Sequence, residues 1–126
     1  NLDEMIRRMD IISVNCPLTN ETKGLMSKKR LQLMMQDSYI INTSRSEIID
    51  EAALLNLLKA NKIAGAGLDV FRRIENRNSE LLEAPNTILI PHMGSATVEG
   101  RIEMGEKVII NIKTFIDGHN PPNRII

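Results

Sequence analysis

Aromatic side chains are almost missing from this 126-residue sequence, which has no tryptophan, one tyrosine and two phenylalanines. Recognition of single-stranded nucleic acid by base stacking therefore has few residues to use. An excess of charge is missing too: Lys plus Arg and Asp plus Glu both total 16, and no long basic run offers the electrostatic footprint that duplex nucleic acid requires. A nucleic-acid partner is not expected. The single cysteine, Cys16, excludes an internal disulfide and suits a reducing compartment. Apolar runs extend only a few residues, against the roughly 18 needed to cross a bilayer, and no charged-then-apolar leader opens the chain. The expectation is a soluble, cytoplasmic protein with no membrane partner. With His92 and His119 the only histidines, no cluster has zinc-like spacing, and a structural metal is not expected. Asn1 stands where a Met would open a primary product, which suggests a processed or excised chain.

What is present is a regular alternation of helix and strand signals, in a chain long enough to bury roughly two thirds of its unfolded surface. Leu2, Met5, Ile6 and Met9 recur at helical spacing and predict a helix over 2–9. Ile11-Ile12-Ser13-Val14 is a short strand stopped by Pro17. Ser27 is placed to cap a helix over 28–35, with Leu31, Met34 and Met35 on one face. Tyr39-Ile40-Ile41-Asn42 is the second strand, and Asp50 caps a helix from Glu51 to about Asn61 carrying the Leu54, Leu57, Leu58 stripe. Gly65 to Val70 is the third strand, its small residues suited to close approach of backbone or ligand. Thr87 to Ile90 is the fourth, reached without a clear intervening helix. A long helix then runs from Ser95 or Thr97 to Asp117, with Ile102, Ile109, Ile112 and Ile116 along one side, and Gly118 ends it. Strands joined by helical crossovers imply parallel pairing and right-handed connections. The fold class is α/β, with a parallel sheet of about four strands.

Three strings fall at the ends of predicted strands: Asn42-Thr43-Ser44-Arg45, Gly67-Leu68-Asp69-Val70-Phe71 running on to Glu75, and Pro91-His92-Met93-Gly94. In an open parallel sheet the strand ends form the ligand crevice. A fixed cation, carboxylates and an imidazole delivered there together suit reduction of a charged carbonyl compound. Read one by one, each has a bland alternative. A loop arginine is commonly a solvated charge, a His after Pro a turn residue, and a lone Cys a small buried hydrophobe.

The strings VNCPLTNETKGL, INTSRSEIIDEAAL, IAGAGLDVF and PNTILIPHMGSAT, in this order and spacing, closely resemble the D-isomer-specific 2-hydroxyacid dehydrogenases. PPNRI and the GSAT after the histidine look most like the glyoxylate and hydroxypyruvate reductase branch. The resemblance implies the second half of a Rossmann-type, doubly wound NAD(P)-binding domain over residues 1–118, a C-terminal tail at 119–126, and a first half and substrate domain that are absent. No G-x-G-x-x-G precedes a predicted strand, so the phosphate turn and the residue choosing NAD or NADP would lie upstream. The first strand would then expose a sheet edge, which predicts self-association or a missing segment.

On this resemblance the function is hydride transfer between NAD(P)H and a small 2-oxo or D-2-hydroxy acid, in a complete chain that forms a homodimer. The present piece alone would be inactive. Arg45 takes the substrate-binding role, because a planar guanidinium holds a carboxylate through two parallel hydrogen bonds. His92 takes the role of proton donor and acceptor, for which an imidazole titrating near ~6.5 is suited. Asp69 corresponds to the acceptor of the nicotinamide carboxamide. Cys16, Pro17 and Leu18 correspond to the adenine side of the cofactor site, with Thr43, Ser44, Arg45, His92 and Gly94 contributing nearer the nicotinamide. The catalytic glutamate falls out of register: Ile74 stands at its usual position and Glu75 one residue later, beside Arg72-Arg73 in place of prolines. Ser46 and Glu47 replace a glycine and a small residue and predict crowding of the cofactor approach. Two alternatives accompany the enzyme reading: a dinucleotide-sensing interaction module of the corepressor type, and a remnant that binds nothing.

Overall fold

The computed structural model describes residues 1–72 and 80–125. They form two units, Asn1–His92 and Met93–Ile126. The first unit holds a sheet of four strands, β1 (Ile11–Val14), β2 (Tyr39–Asn42), β3 (Gly65–Leu68) and β4 (Thr87–Leu89). All three pairings are parallel and the spatial order is β1-β2-β3-β4, the order of the chain. Register is continuous across the sheet: Val14 pairs with Asn42, which pairs with Leu68, which pairs with Leu89. The expected four-stranded α/β half-sheet is present, with β1 and β4 at its two edges.

Helices shorter than expected connect the strands. α1 spans Leu2–Ile6 and not 2–9; its start is fixed by a capping box in which Asn1 and Glu4 exchange side-chain hydrogen bonds, and its last turn tightens through Arg8 N–H to the Met5 carbonyl. The tightening lets the chain turn within four residues into β1. α2 is a single turn, Lys28–Leu31, where 28–35 was expected, and Ser27 makes no side-chain cap. Bonds from Leu33 N–H to Arg30 and from Met34 N–H to Leu31 replace α-helical spacing with the tighter i to i+3 kind. The apolar face survives the change, since Leu31 and Met34 are both buried.

α3 (Glu51–Lys59) is capped by Asp50, whose carboxylate accepts the Ala53 N–H at 3.0 Å. It stops at Lys59, short of Asn61, because Asn61 adopts φ +51° and closes a Schellman motif, with Asn61 N–H on Leu58 and Lys62 N–H on Leu57. Ile6, Leu31, Leu54 and Leu58 from the three helices meet Ile12, Val14, Ile40, Ala66 and Leu68 from one face of the sheet in a single core. The other face is open: Ile11, Tyr39, Ile41 and Ile88 are all exposed.

β3 is two residues shorter than expected, pairing over Gly65–Leu68. Close approach applies to one of its glycines. A Cβ on Gly65 would sit 2.6 Å from the Asn86 carbonyl and 3.2 Å from the Tyr39 ring, whereas at Gly67 the nearest atom is 3.9 Å away. β4 ends at Leu89, one residue short of Ile90, although Ile90 N–H still reaches the Leu68 carbonyl at 3.0 Å. Between β3 and β4 the described chain holds a 3-10 turn, Glu80–Glu83.

The second unit is dominated by α4 (Val98–Ile116), capped by the Thr97 hydroxyl on Gly100 N–H and closed by a second Schellman motif at Gly118, φ +78°. Its Ile102, Ile109, Ile112 and Ile116 are exposed. The tail returns to the helix, where Asn111 and Asn123 exchange two hydrogen bonds. Among the described residues no helix is long and apolar enough to cross a membrane.

Candidate functional site

Parallel strands deliver all their carboxyl ends to one side of the sheet, so the loops after β2, β3 and β4 converge. The loop after β2 is braced from below. Asn42, only 1% exposed, accepts the Ser44 N–H on Oδ1 at 3.0 Å and donates from Nδ2 to the Arg45 carbonyl at 2.9 Å. It is braced from the side as well: the Ser44 hydroxyl donates to the Cys16 carbonyl, and Thr43 Oγ1 meets Asn15 Oδ1 at 3.2 Å. Arg45 then stands exposed in an extended conformation, φ −140° and ψ 140°, at the head of a 3-10 turn over Ser46–Ile48, and its Nη1 donates to the Ser44 carbonyl at 2.8 Å.

The loop after β3 begins with Asp69, buried at 4% exposure. Its N–H donates to the Asn42 carbonyl at 2.9 Å, and its own carbonyl accepts the His92 N–H at 3.0 Å. The strand ladder thus continues past the strands and ties β2, β3 and β4 together where the chemistry-bearing residues emerge. His92 adopts φ +56°, in the left-handed region that few residues other than glycine enter. Its N–H bonds to both Asp69 and Ile90 carbonyls help hold it there. Strain of order 1–3 kcal/mol per such residue persists where surrounding structure over-determines it, and clusters at active sites.

Arg45, Asp69 and His92 line one cavity of about 510 Å³ together with Ser46, Glu47, Val70, Phe71 and Pro91. That volume lies within the range of small-molecule sites. The three residues singled out at strand ends are therefore brought together. Glu75, the expected carboxylate partner of His92, lies outside the described residues, and Gly94 belongs to the second unit. Thr43 and Ser44 are not among the residues lining the cavity; they brace its loop through Asn15 and Cys16. Cys16 is half-buried against the core, while Pro17 and Leu18 are exposed on the loop after β1, where the Pro17 carbonyl accepts the Thr22 hydroxyl at 2.6 Å.

Ser46 and Glu47 fit the loop without strain, neither having a positive φ. Glu47 adds a carboxylate to the cavity wall, and hydrogen bonds from its own N–H and the Ser46 hydroxyl, with Arg72 and Arg45 nearby, hold it below the usual carboxylate range. The sequence pattern marks Glu47 only as an obstruction, and the one signal it carries for Asn42 is a polar residue closing an otherwise apolar strand. A second cavity of about 510 Å³ lies beyond Glu47, lined by Lys23, Asp50, Glu51, Leu55, Arg72 and Leu81 among others. It contains neither Asp69 nor an imidazole. Burial there raises the Glu51 carboxyl above its ordinary value, against the N–H of Arg72, which both its oxygens accept. Among the described residues no group of three or more His, Cys, Asp or Glu could hold a metal ion.

Residues 1–94 match the family model for the D-isomer specific 2-hydroxyacid dehydrogenase, NAD binding domain. A glyoxylate reductase of Thermococcus litoralis is 42% identical over 125 residues, covering 99% of this chain and 38% of the relative. Among solved structures, a protein of Thermus thermophilus superposes with a TM-score of 0.92 at 33% identity, over 99% of this chain and 40% of its own. An NADPH-dependent glyoxylate/hydroxypyruvate reductase from Sinorhizobium meliloti, solved with NADP and malonate, gives 0.84 at 36% identity, over 91% of this chain and 36% of its own. The chain thus spans little more than a third of the length of the relatives it matches. With a parallel half-sheet whose strand ends carry Arg45, Asp69 and His92 into one cavity, the chain belongs to the D-isomer specific 2-hydroxyacid dehydrogenase family, in its NAD-binding domain.

Proposed function

We propose that this chain serves in NAD(P)H-dependent reduction of a small 2-oxo acid, such as glyoxylate or hydroxypyruvate, to the D-2-hydroxy acid. In that protein residues 1–118 form the C-terminal portion of the cofactor domain and 119–126 the tail. The observation that carries the reading is the convergence of Arg45, Asp69 and His92 on one cavity at the carboxyl ends of β2, β3 and β4. A guanidinium fixed to backbone in the cavity wall suits a carboxylate, and an exposed imidazole in the same wall suits the carbonyl oxygen.

The chemistry of the cavity's lining suits a nicotinamide ring. Asp69, buried at the strand end, is the acceptor for a carboxamide N–H, and Val70 and Phe71 supply apolar wall. When bound, the cofactor supplies the hydride. His92 gives a proton to the carbonyl oxygen in reduction and takes it back in oxidation, with Glu75 as its carboxylate partner. Arg45 holds the substrate carboxylate and so fixes which carbonyl carbon faces the cofactor. Cys16, Pro17, Leu18, Thr43 and Ser44 complete the cofactor site in this reading. A homodimer and a cytoplasmic location belong to the same proposal, the location supported by the single thiol.

The test is turnover by the full-length protein that carries this chain. Glyoxylate and hydroxypyruvate are expected to drive oxidation of NADH or NADPH. His92→Ala is expected to abolish that turnover with cofactor affinity nearly intact, and Arg45→Lys to raise KM, because a point charge cannot form the two-pronged contact. Unchanged turnover in His92→Ala sinks the mechanism.

A further inference from the structure

The row of buried residues that crosses the sheet at its carboxyl end reads Val14, Asn42, Leu68 in register. The flanking members are apolar and so is the residue two before, Ile40, which is fully buried. By the alternation of the strand, position 42 calls for a core hydrophobe. An amide stands there instead, as buried as its neighbours. A break in an otherwise consistent pattern is expected at functional sites, where one level of the design yields to another.

The Asn42 side chain uses both ends of its amide on the two residues that lead to and include Arg45. Oδ1 takes the Ser44 N–H in an Asx turn, and Nδ2 gives to the Arg45 carbonyl. The Arg45 guanidinium in turn leans on the carbonyl of Ser44, the residue whose N–H Asn42 holds. On its main chain the same asparagine accepts the Asp69 N–H, and Asp69 accepts the His92 N–H. One residue therefore refers the Arg45 side of the cavity and the Asp69–His92 side to a common point.

We propose that Asn42 is the positioning residue that sets the Arg45 guanidinium in register with Asp69 and His92, an inference that rests on the reading of Arg45 as the substrate-carboxylate group. The residue type is dictated by the geometry. The asparagine amide offers an acceptor and a donor on separate atoms at neutral pH, one for each of these two backbone groups. An ionised aspartate keeps the acceptor for Ser44 N–H but sets a negative oxygen against the Arg45 carbonyl. Leucine, similar in size, leaves a backbone donor and a backbone acceptor without their partner.

The experiment compares wild type, Asn42→Asp and Asn42→Leu in the full-length protein, with glyoxylate as substrate and NADPH or NADH binding measured separately by fluorescence. Both variants are expected to lose about 10²-fold in kcat/KM at neutral pH, chiefly through KM for glyoxylate, as a catalytic group misplaced by about 1 Å does. Cofactor affinity is expected to fall less than the KM for glyoxylate rises, because Thr43 and Ser44 keep their own bonds to Asn15 and Cys16. Asn42→Asp is expected to regain KM, relative to wild type, as pH falls and its buried carboxyl takes up a proton that it can donate to the Arg45 carbonyl. Asn42→Leu has no such proton and stays impaired at every pH. Unchanged KM in both variants overturns the inference, and so does a parallel loss of cofactor and substrate affinity without recovery of Asn42→Asp at low pH. Should Asn42→Leu fail to unfold cooperatively, the pH profile of Asn42→Asp decides alone. Loss of cooperative unfolding in both variants assigns Asn42 to the core only and overturns it too. Wild type that reduces no 2-oxo acid defeats the reading of Arg45 itself, and this inference with it; active wild type with insensitive variants defeats this inference alone.

Discussion

The two faces of the sheet are built from the same strands and the same kinds of residue, yet one is a core and the other is open. Ile12, Val14 and Ile40 lie at 6%, 6% and 0% exposure, while Ile11 and Ile88 on the opposite face lie at 61% and 71%. Polarity does not distinguish them. Parallel sheets occur with both faces covered, and their strands accordingly read as continuous apolar runs in place of an alternation. In this chain α1, α2 and α3 all contribute side chains to one face. The covered face consequently carries the stability of the first unit and, through Asn42, the geometry of the cavity. The open face carries neither.

The sharpest way to break that comparison is to remove volume from the covered side. Leu54→Ala empties a fully buried position of α3 and is expected to cost about 2–5 kcal/mol, seen as a lowered denaturant midpoint with an unchanged slope. A smaller loss, about 1 kcal/mol, is expected for Asp50→Ala, which deletes the N-cap that fixes where the same helix starts. That loss is measurable as a drop in melting temperature.

The pH dependence of the covered side offers a finer test at Glu51. Its carboxyl is raised in the folded chain by burial, so the native state holds its proton at pH values where the unfolded chain has already released it. The contribution is therefore full below the ordinary value of 4.5 and is lost as pH rises through the raised folded value. Glu51→Gln is expected to flatten that part of the stability profile, and an unchanged profile in urea titrations across that range contradicts it. The smallest effect belongs to the open face. Ile88→Thr is expected to change the stability of this chain by no more than about 0.5 kcal/mol, since an exposed position away from caps and cores has little to lose. A cost near that of Leu54→Ala would erase the distinction between the faces.

Much of this architecture was legible because its signals are local. Asp50 before Glu51, Thr97 before Val98 and Gly118 after Asp117 are caps whose chemistry acts within one helical turn, and the structure uses all three. The errors came where neighbours intervene. Ser27 has the right residue type for a cap and makes no such bond, and the helix it opens stops after one turn because the chain tightens through Leu33 and Met34 toward β2. Asn61 ends α3 in a left-handed conformation that periodicity alone extended through. At the site, Arg45, Asp69 and His92 were legible as residue types at strand ends. Their mutual bracing was not, because the bonds from Asn42 to Asp69 and from Asp69 to His92 join positions 27 and 23 residues apart.

By itself the sequence determined the α/β class, the four strands, the caps of the longer helices and the three chemistry-bearing residues at the strand ends. Each rests on a pattern spanning a few residues, where side-chain periodicity and capping chemistry outweigh anything distant. Only the tertiary structure decided which apolar face became core, why position 42 is an amide, and that Arg45 and His92 border one cavity. Those outcomes depend on register between strands, and register is settled when parallel strands from separate parts of the chain pair and bury one common face.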